Sequence, residues 1–330
     1  MRRAQSFRRV LASSLFVLAV GFADAQQAAK SAPPATTWVV PRTADGHPDL
    51  QGYWTNASIT PLQRPVELGA KEFYTAEEAA AVDQKEFTER TSWDRLGNQA
   101  RVHYDMSQFG LDVIQAKVAL SRRTSLIIGP EGRIPAMTAE AQKRQAARAA
   151  QRRGHEFDSA QDRPIQERCI VWATEGPPMM SSGYNSNLEI VQGPGYVSVL
   201  EEMIHDARMI PTDGRPHLPA SIRQYLGDSR GRWEGDTLVV DTTNFTDKTS
   251  FMGSTENLHV VERFTRIDAD TILYEFTVDD PATWAKSWTA QMPLTKIAGP
   301  IFEYACHEGN LGMPNTLSGA RAADEAKGAK

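Results

Sequence analysis

The run "TILYEFTVDD" (271–280) places the tightest constraint on how this chain can fold. Ile272, Tyr274, Phe276 and Val278 alternate with Thr271, Leu273, Glu275 and Thr277. A period of two belongs to a strand with one buried face, because successive side chains leave a pleated backbone on opposite sides. "SWTAQMPL" (287–294) repeats the pattern with Trp288, Ala290, Met292 and Leu294. From 186 onward "NLEIVQ", "GYVSVLEEMIH", "DTLVVDTTNF", "LHVVERFTRI" and "IFEYACHE" are also rich in β-branched and aromatic residues. Turns such as "GPG" (193–195), "EGD" (234–236) and "DAD" (268–270) separate most of these runs. The pattern predicts a mainly β (α+β) fold, a barrel-like or strongly curved antiparallel sheet, with a lipocalin-like barrel as one form of it. There is no βαβ unit and no Gly-rich strand-to-helix turn, which excludes Rossmann and P-loop readings.

The N-terminal half has a different texture. "PRTADGHPDLQGYWTNASITPLQRP" (41–65) reads as an extended arm lying on the surface, anchored by Tyr53 and Trp54. "YTAEEAAAVDQKEFTER" (74–90) predicts a helix whose Thr75 and Glu78 form a capping box. "TSLIIGPEGRIPAM" (124–137) reads as a strand, a turn and a second extended piece, and "TAEAQKRQAARAAQRR" (138–153) as a second helix with an arginine-rich, solvated face. The expected organisation is a leader over 1–25, a linker over 26–40, an arm and helical region over 41–185, an antiparallel β core over 186–317 and a frayed polar tail over 318–330.

The leader assignment rests on Arg2, Arg3, Arg8 and Arg9, the apolar run "VLASSLFVLAVGF", and "ADA" at 23–25. Together these form a signal peptide cut after Ala25, and the apolar run is too short to span a bilayer. Export to the periplasm or the medium follows. The chain carries a net charge of −5, and removing four arginines and Asp24 with the leader leaves −8. That balance argues against nucleic acid or an anionic membrane as a partner and leaves a small molecule. Cys169 and Cys306 are the two cysteines, and in an oxidising compartment a disulfide between them is the simplest expectation. A nucleophilic cysteine beside His307 is the alternative.

No motif names a reaction. HExxH, CxxC, EF-hand and Gly-x-Ser-x-Gly patterns are absent from the sequence, so no metal and no cofactor is expected. The chemistry is sought instead in "EEMIHDARMIPTDGRPHLP" (201–219). If the preceding strand runs on through Arg208, one face carries Val197, Val199, Glu201, Met203, His205 and Ala207. Glu201 and His205 are then polar intrusions into an apolar wall, about 13 Å apart along the strand. His205 is the expected acid/base, with a backbone-bonded core histidine as the alternative. Glu201 is a second catalytic candidate. A third is Glu308, which ends the face of Phe302, Tyr304 and Cys306. Arg215 and His217, on a Pro-stiffened loop, are expected to bind substrate with Tyr184 and Trp233. Pairing of Arg215 with Asp213 or Asp228 is the structural alternative.

The stretches "EMIHDARMIPTDGRPHLP", "GRWEGDTLVVDTTNF" and "YACHEGNLGM" resemble a family of exported bacterial proteins of unknown function. The resemblance implies export and a single co-folded unit, and carries no activity or site residue. "GRWEGDTLVV" also resembles the Gly-x-Trp segment near the first strand of lipocalin-like barrels. The resulting expectation is an exported, cofactor-independent hydrolase or lyase using acid/base chemistry on a small, partly apolar molecule. The alternative is a lipocalin-like binding protein holding a hydrophobic ligand without turning it over.

Overall fold

The computed structural model describes residues 38–95, 122–172, 174–181, 185–248 and 251–328, with side chains throughout except over 86–95. The expected leader and Tyr184 lie outside these residues.

Nine strands form one antiparallel sheet. They are β1 (Gly52–Thr55), β2 (Asn187–Gly193), β3 (Tyr196–Glu201), β4 (Ala207–Pro211), β5 (Asp228–Glu234), β6 (Thr237–Thr243), β7 (His259–Arg266), β8 (Thr271–Asp279) and β9 (Trp288–Lys296). Their order, β4-β3-β2-β1-β9-β8-β7-β6-β5, curls the sheet until its two edge strands meet in a nearly closed barrel. The alternation in the sequence sets which side chains enter. Ile272, Tyr274, Phe276 and Val278 of β8 and Trp288, Ala290, Met292 and Leu294 of β9 are all buried. Trp54, Phe264, Tyr274 and Phe276 fill the middle, and each such side chain removed from water contributes about 1.5–3 kcal/mol.

Three strands depart from the expected pattern. The arm at 41–65 is no surface strap: β1 lies inside the sheet between β2 and β9, and Trp54 is fully buried with its indole N–H on the Leu50 carbonyl, 3.0 Å away. Flanked on both sides, β1 uses its own backbone to join the two halves of the ladder. β4 and β5 are the edges. They approach closely because position 231 is glycine: a Cβ there would lie 2.8 Å from Thr212 Cγ2 and 3.0 Å from Ile210 Cγ2.

The helices lie outside the sheet. α1 (Ala76–Arg95) begins at the expected capping box, with Glu78 N–H on Thr75 Oγ1 and Thr75 N–H on the Glu78 carboxylate. α2 (Ala139–Arg152) is capped by Thr138, and its Arg144 donates to Thr283 Oγ1 at 2.9 Å, fixing the helix to the loop after β8. The expected frayed tail is instead α3 (Gly312–Gly328). Its run of Ala, Glu, Lys and Arg is helix-forming, and Pro314 sits in the first turn, where a missing N–H is tolerated. Cys169 and Cys306 are joined in a disulfide, with Cα atoms 5.8 Å apart and a separation of 137 positions in sequence.

Candidate functional site

Glu201 closes β3 on the interior face, beside Val197 and Val199, as the alternation predicts. The strand does not run on to Arg208. Glu202 is αR, and Ile204 and His205 take left-handed φ values of 58° and 52°, so the chain reverses into β4. A β-branched residue at positive φ is a genuine outlier and holds only where surroundings fix it. Here Glu202 is buried and accepts from Asn187 Nδ2 at 2.6 Å and Phe302 N–H at 3.3 Å.

This turn corrects the expectation for His205. Its side chain is exposed rather than interior, with Nδ1 3.0 Å from the Tyr304 carbonyl oxygen. The period-two argument fails because four residues of the supposed strand form the reversal. Glu308 is corrected too. Residues 301–308 form no strand, and Glu308 is exposed in a turn completed by Gly309 at φ 62°. Arg215 takes the structural alternative, an exposed ion pair with Asp213. Trp233 stacks on His47, ring centroids 4.7 Å apart. His217 lies between two carboxylates, Nδ1 2.9 Å from Asp228 and Nε2 3.0 Å from Asp241, while Asp241 also meets His259 Nε2 at 2.9 Å. These contacts fasten the loop to the outside of β5, β6 and β7. Arg215, His217 and Trp233 are thus engaged with partners of their own, and His205 and Glu308 are exposed.

What does converge is a set of buried ionisable groups around the β3–β4 turn. β4 sends Arg208 inward, where its guanidinium grips both Glu262 oxygens at 3.0 and 2.5 Å. Tyr274 donates its hydroxyl to Glu262 Oε1 at 2.7 Å and accepts the Met179 N–H at 2.9 Å. Burial opposes the charge on Arg208, but Glu262 outweighs it and holds the guanidinium charged. Glu201 has no such partner. Among the described residues its Oε1 meets no donor, and burial drives its pKa well up, with Arg208 offsetting part and Glu175 and Glu262 adding to the rise.

Glu175 is the fifth member. It is 1 % exposed, and its Oε2 accepts the Trp172 N–H at 3.1 Å. Gly176 follows at φ +90°, and a Cβ there would come within 2.7 Å of the Met179 nitrogen. Only glycine allows the chain to turn so closely behind this carboxyl. Among the described residues Glu175 Oε1 meets no donor, and the Glu175 carboxyl interacts with the carboxylate of Asp206. Two carboxylates are both acceptors, so the contact is satisfied only when one of them carries a proton; the hydrogen bond raises Glu175 and lowers Asp206, which makes Glu175 the donor. Burial, chiefly, pushes Glu175 up to about 8, and Asp206 reinforces it. Asp206 is also raised by burial, with His205 and the Glu175 hydrogen bond pulling the other way.

Asp206 connects this pair to solvent. It lines a cleft of about 610 Å³ at the β4–β5 seam, with Arg208, Met209, Tyr225 and Ser229. A larger cleft of about 1050 Å³ shares Val171, Tyr225 and Leu226 with it. Among the described residues, no group of three or more His, Cys, Asp or Glu side chains is placed to hold a metal ion. Glu262 was signalled in the sequence as a lone acid between Val260 and Phe264 on an apolar face. Glu175, in the aperiodic "TEGPPMM", carried no such signal. Comparison with protein-family models, curated proteins and solved structures gives no match to the chain.

Proposed function

We propose that the protein is a cofactor-independent acid/base enzyme, a hydrolase or lyase, with Asp206 as its catalytic residue and Glu175 as a positioning residue that shares its proton. One observation carries this reading: the buried carboxyl of Glu175, whose Oε1 meets no donor among the described residues, interacts with the carboxylate of Asp206, which lines an open cleft. A buried carboxyl held protonated near neutrality lowers stability, and such pairs concentrate where proton transfer is needed. Asp206 accepts a proton from water or from a substrate carbon and returns it to the leaving group. Glu175, hydrogen-bonded behind it, stabilises whichever state carries the charge. The disulfide suits an oxidising compartment, and with the leader it supports action in the periplasm or the medium.

The test is a panel of esters, glycosides and β-eliminable compounds assayed with wild type, Asp206→Asn and Glu175→Gln. Asp206→Asn is expected to lose turnover by a factor of about 10²–10⁴, the usual share of a general acid/base. Glu175→Gln is expected to abolish the alkaline fall in rate that sets in near the pKa of about 8. Equal turnover by wild type and Asp206→Asn would remove Asp206 from the mechanism. Ligand binding by both proteins with turnover by neither would favour a carrier.

A further inference from the structure

We propose that the larger cleft binds an organic anion with an apolar body, which makes amphipathic anions the substrate class. The link to turnover rests on the acid/base reading above; the binding does not. The floor is apolar, with Val171, Phe245 and Leu258 buried and Phe251 half-buried among its lining residues. The rim is cationic. Arg163 is already engaged, bidentate to Glu167 at 2.9 Å and lying over the Phe157 ring at 4.3 Å. His155 is paired with Asp158. Arg168 and Lys248, by contrast, form no ion pair with any described residue. Arg152 stands with them in the last turn of α2, where the helix end accounts for part of its placement.

The acid lining the same cleft is Asp162, and it accepts the Ser159 hydroxyl at 2.5 Å. Cations with no ion pair among the described residues, set around an apolar floor, are unexpected on a chain of net charge −5, where carboxylates outnumber them elsewhere. A neutral or cationic ligand would leave those charges unanswered. A carboxylate, sulfate or phosphate ester on an apolar body would meet both surfaces. The two clefts share Val171, Tyr225 and Leu226 in their linings, which sets the anion site beside the cleft that Asp206 lines.

The probes are decyl sulfate, decyltrimethylammonium and a neutral decyl glycoside, titrated calorimetrically below their micelle concentrations into the oxidised chain. Decyl sulfate is expected to bind a single site, roughly tenfold or more tighter than the ammonium compound. Arg168→Glu/Lys248→Glu is expected to weaken decyl sulfate by roughly tenfold and leave the neutral glycoside unchanged, while Arg232→Glu, on exposed β5, changes neither. Near-UV circular dichroism confirms that each variant is folded. Equal affinity for the two charged probes, or decyl sulfate binding unaltered by the double reversal, would overturn the site. Asp206→Asn is expected to keep decyl sulfate binding, so failure of the anion site and failure of the acid/base reading give different results.

Discussion

Glu175 is neutral inside the protein at a pH where a free glutamate is ionised. Its pKa rises from 4.5 to about 8 on folding, mainly through burial. Between those values the native chain keeps a proton that the unfolded chain releases, so stability falls as pH rises through the interval. Glutamine has the same shape, can donate to Asp206 and has no proton to lose. Glu175→Gln is therefore expected to be more stable than wild type at pH 7, by about 3 kcal/mol, with the gap closing near pH 4. Urea unfolding at the two pH values measures it, and parallel profiles for the two proteins would show that Glu175 is not held protonated. At this scale the sequence was half legible. Glu201 announced itself as an acid on an apolar face. Glu175 could not, because its burial comes from an irregular segment folded over the barrel and from no periodicity of its own.

The β3–β4 turn and the Arg208–Glu262 pair show the same division among elements. Strands β2, β3 and β6 to β9 were legible because each presents alternate apolar residues to one core. β4 was hidden by a reversal built on Ile204 and His205 at positive φ, which side-chain pattern does not reveal. β5, "DSRGRWE", was hidden by its charges; as an edge strand it carries them without penalty. β1 was hidden because four residues are too few to show a period. Arg208 reaches from edge strand β4 across the barrel to Glu262 on β7, and both side chains are at most 3 % exposed. Removing one partner leaves a buried, uncompensated charge. Arg208→Met is expected to cost about 3–5 kcal/mol, and Arg208→Met/Glu262→Met much less than the sum of the single changes. A double-mutant cycle by chemical denaturation measures the coupling. Additive losses would mean that each side chain stabilises the barrel through packing alone.

Across the whole molecule, the disulfide joins two irregular segments rather than two strands. Cys169 lies just ahead of Glu175, and Cys306 just beyond Phe302 and Tyr304, whose backbones bond Glu202 and His205 of the β3–β4 turn. Asn310 adds a contact from its side-chain amide to Cys169 Sγ at 3.6 Å. The cross-link thus clamps together the segment that delivers Glu175 and the segment that holds the turn delivering Asp206. The barrel has its own ladder and its own core, and neither passes through the cysteines. For a separation of 137 residues the chain-entropy model gives a stabilisation of about 4–5 kcal/mol. Cys169→Ser/Cys306→Ser is expected to lose that amount overall, but to lose it unevenly. Hydrogen exchange should accelerate first over 165–180 and 301–310, with β7, β8 and β9 keeping their protection until global unfolding. Uniform acceleration across strands and segments would show instead that the cross-link supports the barrel as a whole. Local loosening has a second consequence. With the Glu175–Asp206 contact released, the carboxyl near 8 should return towards an ordinary glutamate, and the alkaline limb of any pH profile should move down with it.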